Sequence, residues 1–269
     1  MASAAVNTRP MGKHGTFWPN VLAFAVIAVA VGWFCHLVFT ILSPQWRWDQ
    51  LWKHRQPLID GWQMTFWLSV ASLAGSLLLG VGFMLGQRSP WVVVRKFCRG
   101  FLELVRALPL LVLLMVGYFV IFAPLLSRWL VAHGLPEKAV IGGLLLSIFG
   151  GAYLGEILRG GVDSIPRTQW DAARAVGFDR WQVYRHVIAP QALRRVLPAV
   201  AGQFMSLIKD SSLLSVIGVQ EFAYQQKYYA SVTYGGLEVY VPLALGYLVL
   251  TLPVAWISHR LEQRFRDEI

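Results

Sequence analysis

The chain has 269 residues, of which 56% are hydrophobic and only 14% charged, with mean hydropathy +0.52 and a formal net charge of +10. That balance excludes an ordinary water-soluble domain, in which about 25% of residues are charged, and describes a basic integral membrane protein. Two cysteines, Cys35 and Cys98, without Cys-x-x-Cys or histidine spacing, exclude a disulfide framework or metal centre as the organising element and read as two small buried residues.

In chain order, a polar N-terminal stretch precedes a first apolar segment, Val21–Leu42, which is long, has no small-residue cleavage site and reads as a retained span. Five further segments reach the about 20 residues that a crossing needs: Gly61–Gly86, Phe101–Leu126, Ala139–Leu158, Leu193–Gly218 and Val239–His259. Gly82 with Gly86, and Gly151 with Gly155, have the small-x3-small spacing of close helix contacts. Ionisable residues inside the apolar map are costly unless they pair or line water. Glu103 and Arg106 near the inner end of the third span, Glu156 in the fourth, and Lys209 and Asp210 deep in the fifth are therefore candidates for a polar pathway. Pairing between neighbouring helices is the alternative reading.

Between the fourth and fifth segments lies a polar stretch from Arg159 to Pro198 that contains seven arginines. Thr168 and Asp171 have capping-box spacing for a first short helix, Ala172 and Ala173 give it a small face, and Gly177 is the residue best able to end it. A second helix is expected from Asp179, with Gln182 as its capping partner, to about Ala189, where Pro190 disfavours continuation. The pattern is helix, glycine corner, helix. An amphipathic hairpin that only binds headgroups through Arg, Trp170 and Trp181 is the plain alternative. A DNA-reading helix-turn-helix is disfavoured by the spans on both sides.

Lys and Arg counts set the expected orientation. With the N-terminus in the cytoplasm, the inner segments hold 16 basic residues, from Arg9 and Lys13 to Arg260, Arg264 and Arg266. The outer segments hold six: Arg47, Lys53, Arg55, Arg128, Lys138 and Lys227. Both termini and the hairpin are placed inside, where anionic lipid or an acidic partner meets the basic face. The chain has no Gly-x4-Gly-Lys-Ser/Thr loop, so it does not bind nucleotide in the P-loop manner. It also lacks His-x3-His, Gly-x-Ser-x-Gly or paired aspartates within a span, which argues against an intramembrane enzyme. A passive channel would leave the hairpin without a role.

The hairpin resembles the EAA loop of bacterial ATP-binding-cassette importer permeases, through Asp171-Ala172-Ala173, Gly177 and Ile188-Ala189-Pro190. Its surroundings are similar to the polar amino-acid branch of the histidine, glutamine and arginine type. The matching stretches are Gly151-Ala152-Tyr153, Glu156 to Gly161, Ser164-Ile165-Pro166, Gln169 and Lys209 to Leu213. Arg106-Ala107-Leu108-Pro109 stands where that branch tends to show Arg-Gly-Thr-Pro, and Asp171 replaces the usual Glu. The resemblance implies an all-α membrane protein of about six helices: a five-helix MetI-like permease core at 61–269, with the coupling hairpin at 163–190. Residues 1–60 would add a cytoplasmic tail, an extra transmembrane helix and an extracytoplasmic loop.

By the same resemblance, the chain would be the permease of an importer for a polar or charged amino acid, in the bacterial inner membrane. It would work with two ATP-binding subunits, a second permease chain, identical or related, and an extracytoplasmic substrate-binding protein. ATP and Mg would bind the partner, with no cofactor, catalytic residue, metal or nucleic acid on this chain. Thr168, Asp171, Ala172, Ala173, Gly177 and Arg180 are the expected ATPase-coupling residues.

Overall fold

A computed structural model describes residues 17–42, 48–234 and 237–266, and among them every regular element is helical. Arg9, Lys13 and Arg47, which enter the charge count, lie outside the described residues. The chain divides at Arg47 and Trp48 into two units. In the first, α1 (Phe17–Leu42) is apolar over most of its circumference, and Cys35 is exposed on it rather than buried.

The second unit begins with the short α2 (Trp48–Lys53) and is built around two long helices that run side by side in the same direction, α3 (Arg55–Gln87) and α7 (Glu137–Asp163). Along α3, Thr65, Ser69, Ser72, Ser76 and Gly80 recur at helical spacing and are all buried. Of these, Ser72, Ser76 and Gly80 face Gly143, Ser147, Gly150, Gly151 and Gly155 of α7. Lipid chains are as apolar as leucine, so no hydrophobic force drives such a pair together. Close approach of small residues does, helped by hydroxyls that cross the seam. Ser76 Oγ donates to Ser147 O at 3.3 Å and Ser72 Oγ to Gly143 O at 3.4 Å. A methyl on Gly80 would come within 2.9 Å of Leu154 Cβ and 3.1 Å of the Gly155 backbone nitrogen. Gly151 and Gly155 pack on α3 as their spacing suggested, and Gly86 meets Cys98 of α4 (Val92–Ala107), whereas Gly82 faces open space.

The expected third span is corrected. Leu108 and Pro109 are extended, so α4 ends at Ala107, and the crossing helix is a separate run from α5 (Leu110–Val116) through a π turn to α6 (Ala123–Ala132). Pro109 has no N–H and disfavours a helical Leu108, which breaks the chain there. Glu103 and Arg106 accordingly sit on α4, not in a span.

After α7 and the hairpin helices α8 (Arg167–Ala175) and α9 (Arg180–Gln182) come α10 (Ala189–Asp210), a 3-10 segment, α11 (Phe222–Thr233) and α12 (Leu237–Arg266). Among the described residues, four helices are long and apolar enough to cross a membrane: 55–87, 110–132, 137–163 and 238–264. The expected fifth span is not among them, because Arg194, Arg195, Lys209 and Asp210 leave too short an apolar run within α10. α10 packs instead between α7 and α12, and Ser258 Oγ of α12 donates to Pro198 O.

The seam gives a direct expectation. Gly80→Ala should lower the thermal midpoint of the detergent-solubilised protein by an overpacking cost of about 1–3 kcal/mol. Gly82→Ala, with nothing within 4 Å of the added methyl, should leave the midpoint unchanged.

Candidate functional site

The hairpin that joins α7 to α10 is shaped by its own backbone chemistry. Helix α8 begins at Arg167 behind Pro166, so Thr168 lies inside the first turn and makes no cap bond. This corrects the expected Thr168–Asp171 capping box. Pro166, already fixed at φ −57° and ψ 142°, starts the helix two residues before a Thr168 cap would. At the other end Gly177 N–H donates to Arg174 O at 2.9 Å and Phe178 N–H to Ala173 O at 3.2 Å. That pair of bonds is a Schellman stop, and Gly177 supplies the left-handed residue it needs with φ +89°.

The second arm starts as its spacing indicated. Asp179 Oδ1 accepts from Gln182 N–H at 2.8 Å and Gln182 Oε1 accepts from Asp179 N–H at 2.9 Å, a closed capping box. It does not stop near Ala189, as expected, but runs on through a π turn (Val183–Ile188) into α10. Ala189 N–H bonds the carbonyl five residues back, at Tyr184. This widened turn lies just ahead of Pro190, whose ring would otherwise press on the carbonyl four residues earlier. The same device precedes Pro124, where Ala123 N–H bonds Tyr118 O.

The hairpin is therefore continuous with α7 at one end and α10 at the other, and it has a small core of its own. Ile165, Ala173, Val183, Ile188 and Ala192 are buried together, with Trp170 edge-on to Tyr184 at 5.0 Å. Arg195 Nη1 donates to Ser164 O at 2.7 Å, tying α10 to the end of α7, and Arg88 pairs with Asp163. Of the expected coupling residues, Ala173 points inward, correcting its reading as part of an open small face, while Asp171, Ala172, Gly177 and Arg180 are exposed. Asp171 lies 3.8 Å from Arg174, both largely in solvent, which is worth little. Sequence reasoning missed the apolar tip around Gly177: Val176 is 72% exposed and Trp181 69%, with Phe178 beside them. The signal was available, since three large apolar residues flank the glycine corner of a loop that is otherwise basic.

The ionic candidates separate into two places. Arg106, Glu156 and Arg159 come together, with Arg159 Nη2 at 2.8 Å and Arg106 Nη1 at 3.5 Å from Glu156 Oε2, and Arg159 also reaching Asp163 at 3.1 Å. Arg106 lies over the Tyr153 ring at 5.6 Å. Arg106, Glu156 and Arg159, with Gln87, Arg99, Leu102 and Glu103, line a cavity of about 320 Å³ near the hairpin end of α7. Lys209 and Asp210 are at the far end of α10, whose 22 residues span about 33 Å. They do not line that cavity.

A further buried carboxylate had no sequence motif to announce it. Glu221, fully buried, accepts from Thr65 Oγ1 (3.2 Å), Tyr247 OH (2.9 Å) and the N–H groups of Ala223 (2.9 Å) and Tyr224 (2.7 Å). It caps α11 and fastens it to α3 and α12.

Comparison with known proteins agrees with this arrangement. The family model described as "Binding-protein-dependent transport system inner membrane component" matches residues 78–267. The glutamine transport system permease protein GlnP of Escherichia coli (strain K12) is 35% identical over 222 residues, covering 82% of this chain and 99% of that protein. The probable glutamine ABC transporter permease protein GlnM of Bacillus subtilis (strain 168) is 33% identical, covering 77% and 92%. Among solved structures, a chain of an amino acid ABC transporter crystallised with histidines superposes with TM-score 0.70 at 29% identity, covering 81% of this chain and 99% of its own. The MetNI methionine ABC transporter, at TM-score 0.63 and 16% identity, shares the fold.

The hairpin geometry predicts a local effect. Asp179→Ala removes the side-chain half of the capping box, a loss of about 1 kcal/mol. Hydrogen exchange should therefore quicken roughly fivefold at Gln182 and its helical neighbours, with no change in α3.

Proposed function

The chain belongs to the family of binding-protein-dependent transport system inner membrane components, and from that premise we propose that it is the permease subunit of an ATP-binding-cassette importer for a polar amino acid. The observation that carries the proposal is the hairpin. Its two arms are fused to α7 and α10, its interior is packed, and its tip presents Val176, Phe178 and Trp181 to solvent. A partner that grips such a tip moves α7 and α10 with it. The partner is an ATP-binding subunit in the cytoplasm, one for each of two permease chains, and Asp171, Ala172, Gly177 and Arg180 surround the contact. ATP and Mg bind that subunit, and this chain makes and breaks no covalent bond. The permease similarity to GlnP and GlnM supports an amino-acid cargo, handed over by an extracytoplasmic binding protein.

The Lys and Arg bias supports a cytoplasmic hairpin and cytoplasmic termini in the inner membrane. In that orientation the cavity lined by Glu103, Arg106, Glu156 and Arg159 lies at the inner mouth of the pathway. A zwitterionic substrate leaving there meets both signs of charge. Lys209 and Asp210 stand toward the outer end. ATP-driven movement of the hairpins shifts the population between outward-open and inward-open states, through the difference in the ATPases' affinity for the two.

Coexpression with the ATP-binding subunits encoded beside it tests the assignment. The wild-type chain should retain such a subunit through affinity purification. Asp171→Arg combined with Trp181→Asp should cut the retained ATPase at least about tenfold, since an exposed aromatic anchor carries much of the energy of such contacts. Equal capture by a monodisperse double variant would place the coupling surface elsewhere.

A further inference from the structure

Helix α4 divides into three sectors. Cys98, Leu102 and Val105 are buried, with Cys98 lying against Gly86 of α3. A second sector, Val93, Phe97 and Leu104, recurs at three- to four-residue spacing or its sum and points outward, Val93 80% and Phe97 68% exposed, with Trp91 exposed just ahead of it. The third is polar: Arg95, Lys96, Arg99, Glu103 and Arg106. Arg95 donates to Ser89 O and Arg106 pairs with Glu156, whereas among the described residues neither Lys96 nor Arg99 has a carboxylate within salt-bridge distance. Both side chains are exposed.

The length of the next helix says where α4 lies. The run 110–132 has 23 residues, about 34 Å, and crosses a bilayer without help. The break at Leu108 and Pro109 sets α4 apart at one end of that span. A helix with one face on protein, one apolar face open and one cationic face fits a membrane–water boundary.

We propose that α4 is an interfacial helix that binds anionic phospholipid headgroups of the cytoplasmic leaflet through Lys96 and Arg99, with Val93, Phe97 and Leu104 in the acyl region. Charge complementarity selects lipid over a second copy of the chain as the occupant, because a second copy approaching by the same face would bring the same cations. The choice of leaflet rests on the orientation proposed above. The consequence reaches the pathway, because Arg99 also lines the cavity with Glu103, Arg106, Glu156 and Arg159. A headgroup that engages Arg99 changes the charge at the inner mouth, so the lipid becomes a regulator of transport as well as a solvent.

The test places a bimane fluorophore on Val93→Cys of the full chain carrying Cys35→Ser and Cys98→Ala, in nanodiscs of phosphatidylcholine with brominated lipid. Brominated phosphatidylglycerol should quench with a local association at least about threefold above that of equally brominated phosphatidylcholine, each basic residue near an anionic surface contributing severalfold. The preference should vanish in Lys96→Gln with Arg99→Gln and fade in high salt. Equal quenching by the two lipids would overturn the headgroup site, and absence of quenching by either would show the face covered by protein. In sealed right-side-out vesicles, Lys96→Cys should resist an impermeant maleimide. Labelling from outside would overturn the orientation and the leaflet together, whereas protection without a lipid preference would overturn the headgroup site alone.

Discussion

The seam between α3 and α7 is the contact on which the rest of this structure depends. In water, two helices are pressed together by the apolar surface they hide, but in a bilayer that force is absent and only close packing and polar contacts remain. The line Ser72, Ser76, Gly80 answers that constraint by removing bulk, so that α7 backbone lies where side chains would otherwise stand. The hydroxyls do not add uncompensated polarity: Ser69 donates to Thr65 O within its own helix, and Ser72 and Ser76 donate across to carbonyls of α7. Toward the end of α3 away from the hairpin, Thr65 joins Tyr247 and the start of α11 around the Glu221 carboxylate.

From the seam the order of cause runs toward the hairpin. α7 is held along its length, and its last residues carry Glu156, Arg159 and Asp163, which engage Arg106 on α4 and Arg88 beyond the end of α3. The chain then turns through Ile165 and Pro166 into a hairpin whose core includes Ala192 of α10. Both arms and the base of this unit are packed, and they lead directly into α7 and α10, the connection that an external motor requires. The two π turns keep the proline-containing helices continuous at Pro124 and Pro190, so that these prolines shape the path without cutting it.

Much of this was legible in the residues, and the exceptions have physical reasons. The Asp179–Gln182 box and the Gly177 corner were readable because each depends on backbone groups within five residues. The approximate spans were readable because hydropathy is a sum over a window. The third span was misplaced because the apolar window averaged across Pro109, and α4 keeps enough Val, Phe and Leu on its outward face to resemble a crossing segment. The stop expected at Pro190 failed because a five-residue bonding turn accommodates a proline, a tertiary choice with no local signature. Glu221 was invisible because its meaning lies in Thr65 and Tyr247, distant in sequence. Gly82 and Gly80 look alike on paper, and only packing tells which of them faces α7.

The central claim is that an ATP-driven partner moves cargo by pushing on this hairpin. The most direct measurement is uptake of a radiolabelled polar amino acid such as glutamine into proteoliposomes that contain the permease, its ATP-binding subunit and its binding protein, with Mg-ATP enclosed on the hairpin side. The account predicts accumulation against a gradient that requires ATP and is abolished when Trp181→Asp is introduced. Equal uptake without ATP, or accumulation undiminished in the variant, would contradict it.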